Sequence, residues 1–232
     1  MCIRDRYWTA ASGAHFTRGS IRALWGAVGW ENGQLGYPVS DEICGIRAGG
    51  CYTHFQGGSI YWTPARGAHF VLGFMRDTWA GTGWENGTLG YPVSNPSCGL
   101  ADAGCLQEFT GGSLYWTAAT GARFTRGSIR TLWGQTGWEN GYLGYPTTDE
   151  ICGLRDGGCF THFQGGAIYW SPATGAHLVT DAIRDAWATA GWENGTWGYP
   201  LTEPRQSPGG TTQQFTGGTA RHDTTTGTVT LR

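Results

Sequence analysis

Four times the chain returns to one ten-residue pattern, first seen as Gly29-Trp30-Glu31-Asn32-Gly33-Gln34-Leu35-Gly36-Tyr37-Pro38. Later copies run from Gly83 to Pro92, from Gly137 to Pro146 and from Gly191 to Pro200. The step is 54 residues each time, because the Gly-Tyr-Pro motifs begin at 36, 90, 144 and 198. Such a constant period is typical of a repeat architecture. A residue present in every copy therefore belongs to a scaffold or a multivalent surface rather than to one catalytic centre.

Each copy predicts a β-hairpin. Residues 53–62 alternate apolar and polar side chains around Gly57-Gly58, and residues 64–67, Pro-Ala-Arg-Gly, have the composition of a turn. Residues 68–71 then predict a short return strand. The last copy is shortened and has Pro204 to Gly210 in place of the cysteine loop. This predicts a terminal capping repeat.

A short helix follows each hairpin. Ile21, Leu24, Trp25 and Val28 keep the i, i+3, i+4, i+7 spacing of an apolar helix face. The predicted N-caps are Gly19, Gly73, Gly127 and Asp181, and the predicted helix stops are Gly29, Gly83, Gly137 and Gly191. A helix of about nine residues is not stable alone, so its tryptophan face must pack on strands. The fold class is an α+β repeat array of tandem units of about 54 residues, each a β-hairpin plus a short helix.

Composition excludes several classes of function. The net charge of −2 offers no basic surface for nucleic acid. No apolar run reaches 18 residues, so the sequence predicts no membrane span. Gly-x-Ser-x-Gly, His-Glu-x-x-His and phosphate-loop motifs do not occur, and we expect neither enzymatic activity nor a cofactor.

Six of the seven cysteines repeat with the period, each pair seven positions apart: Cys44/Cys51, Cys98/Cys105 and Cys152/Cys159. Zinc ligands are the alternative, but zinc sites favour C-x2-4-C spacing with histidine partners. Local disulfides are the preferred interpretation, and they place the protein in an oxidising compartment outside the cytoplasm. We expect no metal site.

The first six residues, Met1 to Arg6, do not fit the repeat, because Arg6 stands where Ile60 stands in the next copy. The string also reads as a translated sequencing adapter, so residues 1–6 are interpreted as an added scar and excluded. Cys2 is then left out of the disulfide assignment.

The sequence favours structural roles for the acidic positions and leaves two roles open for one of the repeated histidine positions. The acids at residues 41–42 and 149–150 become Asn95-Pro96 and Glu203-Pro204 in the other copies, which favours loop and capping roles over a paired acid and base. Invariant Glu31 and its equivalents are expected to bond a turn amide. His15, His69, Arg123 and His177 share one position, where a hydrogen-bond donor or cation is common to all and ligand contact is as plausible as packing. His54 and His162 are interpreted as a solvated strand face.

Twelve of the thirteen tryptophans form three repeated sets of four. The set of Trp25 lies on the helix face and that of Trp8 on a strand, and both are predicted to be core. The set of Trp30 lies between a helix-stopping glycine and an Asn-Gly turn, a place that loops expose. Its rings are equally suited to stacking on sugar C–H groups or to covering the seam to the next repeat. The candidate carbohydrate-binding residues are Trp30, Glu31, Asn32, Trp84, Glu85, Asn86, Trp138, Glu139, Asn140, Trp192, Glu193, Asn194, His15, His69, Arg123 and His177.

These motifs resemble the LGFP repeat of actinobacterial envelope proteins: Leu-Gly-Tyr-Pro, Phe-x-Gly-Gly-x-Ile-Tyr-Trp, Gly-Ala-His and a short tryptophan-bearing helix. The resemblance implies a cell-wall-binding module, often attached to mycolyltransferases or hydrolases, that binds arabinogalactan and closes into a pseudo-symmetric ring or propeller-like toroid. The family commonly has glycine at the Trp30 position and lacks the cysteine pairs.

The predicted organisation is one LGFP-like repeat domain over residues 7–232, with units of about 7–54, 55–108, 109–162 and 163–214 and a terminal cap at 215–232. The function implied is non-catalytic binding of arabinogalactan or a related glycan by a secreted, wall-associated protein. One alternative is the C-terminal targeting part of a truncated envelope hydrolase or mycolyltransferase, with a catalytic domain upstream. A second alternative is a protein-binding scaffold.

Overall fold

A computed structural model describes residues 6–232, and the chain divides into two compact units at Ala122/Arg123. In the first unit, helices α1 and α2 each follow a β-sheet. Its elements are β1 (Arg6–Thr9), β2 (Gly13–Phe16), α1 (Gly19–Ala27), β3 (Ile43–Ile46), β4 (Gly50–Phe55), β5 (Gly58–Thr63), β6 (Gly67–Leu72), α2 (Gly73–Gly81), β7 (Ser97–Cys98), β8 (Cys105–Phe109), β9 (Gly112–Thr117) and the start of β10 (Gly121–Thr125).

The second unit repeats this order. Its elements after β10 are α3 (Gly127–Gln135), β11 (Ile151–Cys152), β12 (Cys159–Phe163), β13 (Gly166–Ser171), β14 (Gly175–Val179), α4 (Asp181–Thr189), β15 (Arg205–Ser207), β16 (Gly210–Phe215), β17 (Gly218–Asp223) and β18 (Val229–Leu231).

The strands form five antiparallel sheets: one two-stranded sheet, β1-β2, and four four-stranded sheets. The orders of the larger sheets are β3-β4-β5-β6, β10-β9-β8-β7, β11-β12-β13-β14 and β15-β16-β17-β18. Tandem repeats of antiparallel sheets and short helices are therefore confirmed, and the predicted hairpin is the centre of each larger sheet. Closure into a ring or propeller stays a prediction.

The four helices have the predicted length of nine residues. The predicted N-cap glycines and Asp181 are instead the first helical residues, and the N-caps are Arg18, Leu72, Arg126 and Thr180. None of these caps makes a side-chain hydrogen bond to the helix. The predicted stop is correct: Gly29 and its equivalents have φ between 93° and 100°, which glycine adopts without strain.

A sheet presents alternate residues to two helices. In β5, Ile60 belongs to the core cluster with Trp25 of α1, whereas the neighbouring Tyr61 meets Trp79 of α2 edge-on at 4.6 Å between ring centroids. Because successive strand side chains point to opposite faces, one sheet is packed on both sides.

The repeated Leu-Gly-Tyr-Pro motif is part of this core. Trp79 donates its indole N–H to the Gly90 carbonyl at 2.9 Å, and the other helix tryptophans make the same bond to their own motifs. Leu89 is fully buried, and Pro92 forms an isolated bridge with Phe109. The motif recurs because it joins each helix to the next strand.

The predicted disulfides are present. Cys44–Cys51, Cys98–Cys105 and Cys152–Cys159 are bonded within their repeats, with Cα atoms 4.0 to 4.1 Å apart. Each pair occupies directly opposed positions of two antiparallel strands. These sulfur atoms are therefore bonded to one another and are not zinc ligands.

Two expectations about tryptophans have different outcomes. Trp25, Trp79, Trp133 and Trp187 are 0% exposed, which confirms the helix set as core. The strand set is only partly core: Trp62, Trp116 and Trp170 are half-buried, and Trp8 is 65% exposed. The prediction for Trp8 is wrong, because β1 lies in a two-stranded sheet, whereas Trp62 is flanked by a further strand that carries Cys51.

Of the segment interpreted as a scar, residues 1–5, including Cys2, lie outside the described residues. Arg6 is the first residue of β1, where it pairs with Phe16 and places its guanidinium 5.9 Å from that ring.

Candidate functional site

The Trp-Glu-Asn segments form four 3-10 turns, each directly after a left-handed glycine. Glycine is also required after the turn, since a Cβ on Gly33 would lie 2.0 Å from the Val28 carbonyl oxygen. The tryptophans themselves have φ of 55°, which is rare for a bulky residue and costs about 1–2 kcal/mol. Tryptophan therefore occupies a backbone conformation in these turns that glycine would adopt at a lower cost.

The tryptophan rings are packed rather than fully exposed. Trp84 meets Trp79 edge-on at 5.2 Å between centroids, and equivalent T-shaped pairs occur in the other copies. All four turn tryptophans are half-buried. Each ring thus contributes to the helix core, and only part of its surface is exposed to solvent.

The helix residues next to this ring differ between copies. Gly26 and Gly134 precede the first and third turns, where a Cβ would lie 2.5 Å from the indole. In these copies an arginine of the helix lies over the ring, Arg22 at 5.1 Å from Trp30 and Arg130 at 5.0 Å from Trp138. Alanine stands at the corresponding positions 80 and 188, and the edge-on contact with the helix tryptophan is kept there at 5.2 Å.

The glutamates and asparagines of the turns bond each other. Asn86 donates its side-chain N–H to Glu85 Oε1 at 2.9 Å, and Asn140 and Asn194 do the same to Glu139 and Glu193. Glu85 and Glu193 are buried, whereas the four asparagines are exposed. The expected amide partner is therefore the neighbouring side chain, and the asparagines are the polar groups that the turns present to solvent.

Two disulfide loops contact the turn of the next repeat. Arg47, between Cys44 and Cys51, donates to the Glu85 carbonyl at 3.0 Å, and Arg155 donates to the Glu193 carbonyl at 3.0 Å. Tyr91 and Tyr199 donate their hydroxyls to the carbonyls of these arginines. Burial and the nearby Glu193 carboxylate raise the pKa of Tyr199 to about 12, so this hydroxyl stays a donor at neutral pH.

The shared histidine and arginine position lies on the return strand of each hairpin, where an acid is its neighbour in three of the four copies. His15 Nδ1 is 3.3 Å from Asp41, and His177 Nδ1 is 2.9 Å from Glu203. In the second copy Asn95 replaces the acid, and the His69 ring keeps the bond to the carbonyl three residues earlier that His15 and His177 also make. Asp149 faces Arg123 in the third copy and keeps a raised pKa, mainly through burial.

The acids that neighbour this position, and the asparagine that replaces one of them, also accept backbone N–H groups. Asp41, Asn95, Asp149 and Glu203 accept the N–H groups of Phe16, Phe70, Phe124 and Leu178 at 3.0 to 3.1 Å. These bonds agree with the predicted loop and capping roles. The structure therefore joins the histidine set to these acids.

His54, interpreted from the sequence as part of a solvated strand face, lies next to the second turn. Its ring is half-buried, lies 6.3 Å from the Trp84 ring and bonds Ser59 Oγ through Nδ1 at 2.7 Å. Burial, and then the charge of Arg76, lowers the pKa of His54, so the ring is neutral at pH 7. The contact between His54 and Trp84 joins residues 30 positions apart in the chain. No local sequence pattern therefore indicates it.

The His177–Glu203 pair predicts a pH-dependent contribution to stability. The hydrogen bond to Glu203 raises the pKa of His177, so its stabilising effect is complete below the unfolded pKa and is lost as pH rises through the folded pKa. Glu203 is 39% exposed, which limits the effect to about 0.5–1 kcal/mol. Replacing Glu203 by glutamine should therefore lower the unfolding free energy of the second unit more at pH 5.5 than at pH 8.5, measured with urea.

The matched control is Asp185→Asn, because Asp185 is 75% exposed and its partner, Arg184, is an arginine rather than a histidine. Its effect should be the same at both pH values. A loss for Glu203→Gln that is equal at pH 5.5 and pH 8.5 would contradict the assignment.

Among residues 6–232, no helix is long and apolar enough to cross a membrane. No curated protein matches the chain significantly. The model of the LGFP repeat matches four consecutive segments, residues 5–33, 35–87, 89–141 and 143–195. These segments make up well over half of the sequence, and the chain therefore belongs to the LGFP repeat family.

Proposed function

We propose that the chain is a non-catalytic module of a secreted envelope protein that binds cell-wall polysaccharide of the arabinogalactan type. The observation that carries the proposal is the four-fold recurrence of one turn, with a half-buried tryptophan next to an exposed asparagine. An indole face stacks on sugar C–H groups, and an amide exchanges hydrogen bonds with hydroxyls. Membership of the repeat family and the three disulfides support an extracellular setting.

The bonding of the acids supports a non-catalytic role. Asp41 and Glu203 cap backbone N–H groups, and Glu85 accepts its neighbouring asparagine. A general acid or base needs a carboxyl group free to exchange a proton with a substrate. Each single turn would bind weakly, and repetition on an insoluble polymer would raise retention through avidity.

Substitutions in the turns test the proposal. The four asparagines are exposed, so replacing Asn32, Asn86, Asn140 and Asn194 by alanine should leave the fold intact and weaken retention on arabinogalactan-containing walls roughly 10-fold or more. Replacing the turn tryptophans by glycine, one copy at a time, should weaken retention stepwise. For glycine the lost ring packing is partly offset by relief of the φ of 55°.

Circular dichroism melts give the control for folding. A parent protein that walls do not retain would overturn the proposal. Folded asparagine and tryptophan variants that bind walls as well as the parent would show that the turns are not the site. Tight binding to a purified envelope protein with no binding to polysaccharide would favour the scaffold alternative.

A further inference from the structure

A separate groove lies at the start of α1, beside the first disulfide. Its volume is about 330 Å³, near the lower end for small-molecule sites, which suits one ring-sized group. The residues that matter for the argument are Arg18, Ser20, Glu42, the Cys44–Cys51 disulfide and Trp62. None of these residues belongs to the turns described above.

The groove pairs an aromatic wall with a neutralised ion pair. Glu42, with a side chain only 6% exposed, accepts the Arg18 Nε–H at 3.1 Å and the Arg18 backbone N–H at 2.9 Å. Because the two charges offset each other, an anionic ligand gains little here. Arg18 is 58% exposed and Ser20 is exposed, so donors and a hydroxyl remain available at the rim.

The second repeat shows what fits against this wall. There Phe74 replaces Ser20, and its ring packs on Trp116, the equivalent of Trp62, with centroids 4.5 Å apart. Leucine and proline, Leu72 and Pro96, stand in place of the ion pair. The chain thus fills this groove with a six-membered ring of its own in the second repeat and leaves it open in the first.

The third repeat restores the residues of the open groove. Arg126, Ser128, Glu150, the disulfide Cys152–Cys159 and Trp170 stand 108 residues after their counterparts. Arg126 Nε donates to Glu150 Oε1 at 2.8 Å, and the Glu150 side chain is again 6% exposed. The same residues, with the same ion pair and disulfide, therefore occur once in each compact unit.

We propose that the grooves at Trp62 and Trp170 each bind one neutral sugar residue of a polysaccharide, stacked on the indole. The proposal rests on the proposed function and adds a second kind of site, present in alternate repeats. The C–H face of a sugar ring can stack on the tryptophan, and its hydroxyl groups can bond the donors at the rim. An uncharged sugar also fits a groove whose two charges offset each other. A uronate or phosphate would meet the Glu42 or Glu150 carboxylate without a free cation in compensation.

Affinity electrophoresis of the full chain tests this, in native gels that contain arabinogalactan solubilised from actinobacterial walls. The double variant Ser20→Phe, Ser128→Phe copies the residue that fills the second repeat and should weaken retardation at least five-fold. The matched control is Ala23→Phe, Thr131→Phe, which adds the same rings to exposed positions of the same helices. It should migrate like the parent.

A second variant, Trp62→Leu with Trp170→Leu, removes the stacking surface and keeps apolar volume, and it should also weaken retardation. Gels with polygalacturonate instead of arabinogalactan test the charge argument and should retard the parent less. Folded Phe and Leu variants that are retarded like the parent would overturn the groove assignment while leaving the proposed function in place. Stronger retardation by polygalacturonate would overturn the neutral-sugar assignment, and a parent retarded by neither polymer would overturn the proposed function itself.

Discussion

Alanine in place of Trp79 is expected to lower the unfolding free energy of the first unit by about 4 kcal/mol, near the upper range for single core substitutions. Trp79 is 0% exposed and donates its indole N–H to the Gly90 carbonyl. Its ring contacts Tyr61, Trp84 and Phe109 at centroid distances of 4.6 to 5.5 Å. The variant loses this packing, opens a cavity and leaves the Gly90 carbonyl without its partner.

Urea unfolding followed by far-UV circular dichroism measures the loss, and Trp8→Ala provides the matched control. Trp8 is 65% exposed, so its replacement should change the unfolding free energy by no more than about 0.5 kcal/mol. Equal losses for the two variants would contradict the assignment of the helix tryptophan as the centre of each repeat.

Removal of the three disulfides should lower stability by about 2–3 kcal/mol for each bridge in the chain-entropy model, since each closes a loop of about eight residues. The loops also carry Arg47 and Arg155, whose bonds hold the next Trp-Glu-Asn turns. Reduction should therefore lower the melting temperature and weaken the binding of polysaccharide together.

Paired Cys→Ala variants separate the bridges in a Cys2→Ser background, which removes the seventh cysteine. The variant without Cys44 and Cys51 should lose stability in the oxidised state and respond less to reductant than the parent. A variant without all three pairs should not respond to reductant. A parent protein with an unchanged melting temperature after complete reduction would show that the bridges do not stabilise the fold.

Much of the fold could be predicted because local chemistry and tertiary structure agree in each repeat. The 54-residue period, the nine-residue helix and the stop at Gly29 follow from spacing and from the left-handed φ that glycine accepts. The cysteine pairs could be predicted because residues seven apart can oppose each other across a tight hairpin. The outer strands β3, β7 and β11 escaped prediction, since they are short, exposed and without alternation.

The candidate site was harder to predict because its contacts join separate parts of the repeat. The sequence around Trp30 does not show that its ring packs edge-on against Trp25. The positive φ of Trp30 could be anticipated, because the family commonly has glycine at this position. Trp8 was assigned to the core by analogy with Trp62, but burial depends on what packs against each copy. The strings Thr-Arg-Gly-Ser-Ile-Arg and Asp-Glu-Ile-Cys-Gly each recur after 108 residues. The sequence does not show that the two strings line one groove, and the structure does.

The most direct test of polysaccharide binding compares retention of the parent protein on two preparations of the same actinobacterial walls. One is intact, and the other has lost its arabinogalactan through mild acid hydrolysis. Because binding through several weak sites depends on the polymer, we predict retention on intact walls, loss on stripped walls and poor competition by short oligosaccharides. Equal retention on intact and stripped walls, or retention on neither, would contradict the account.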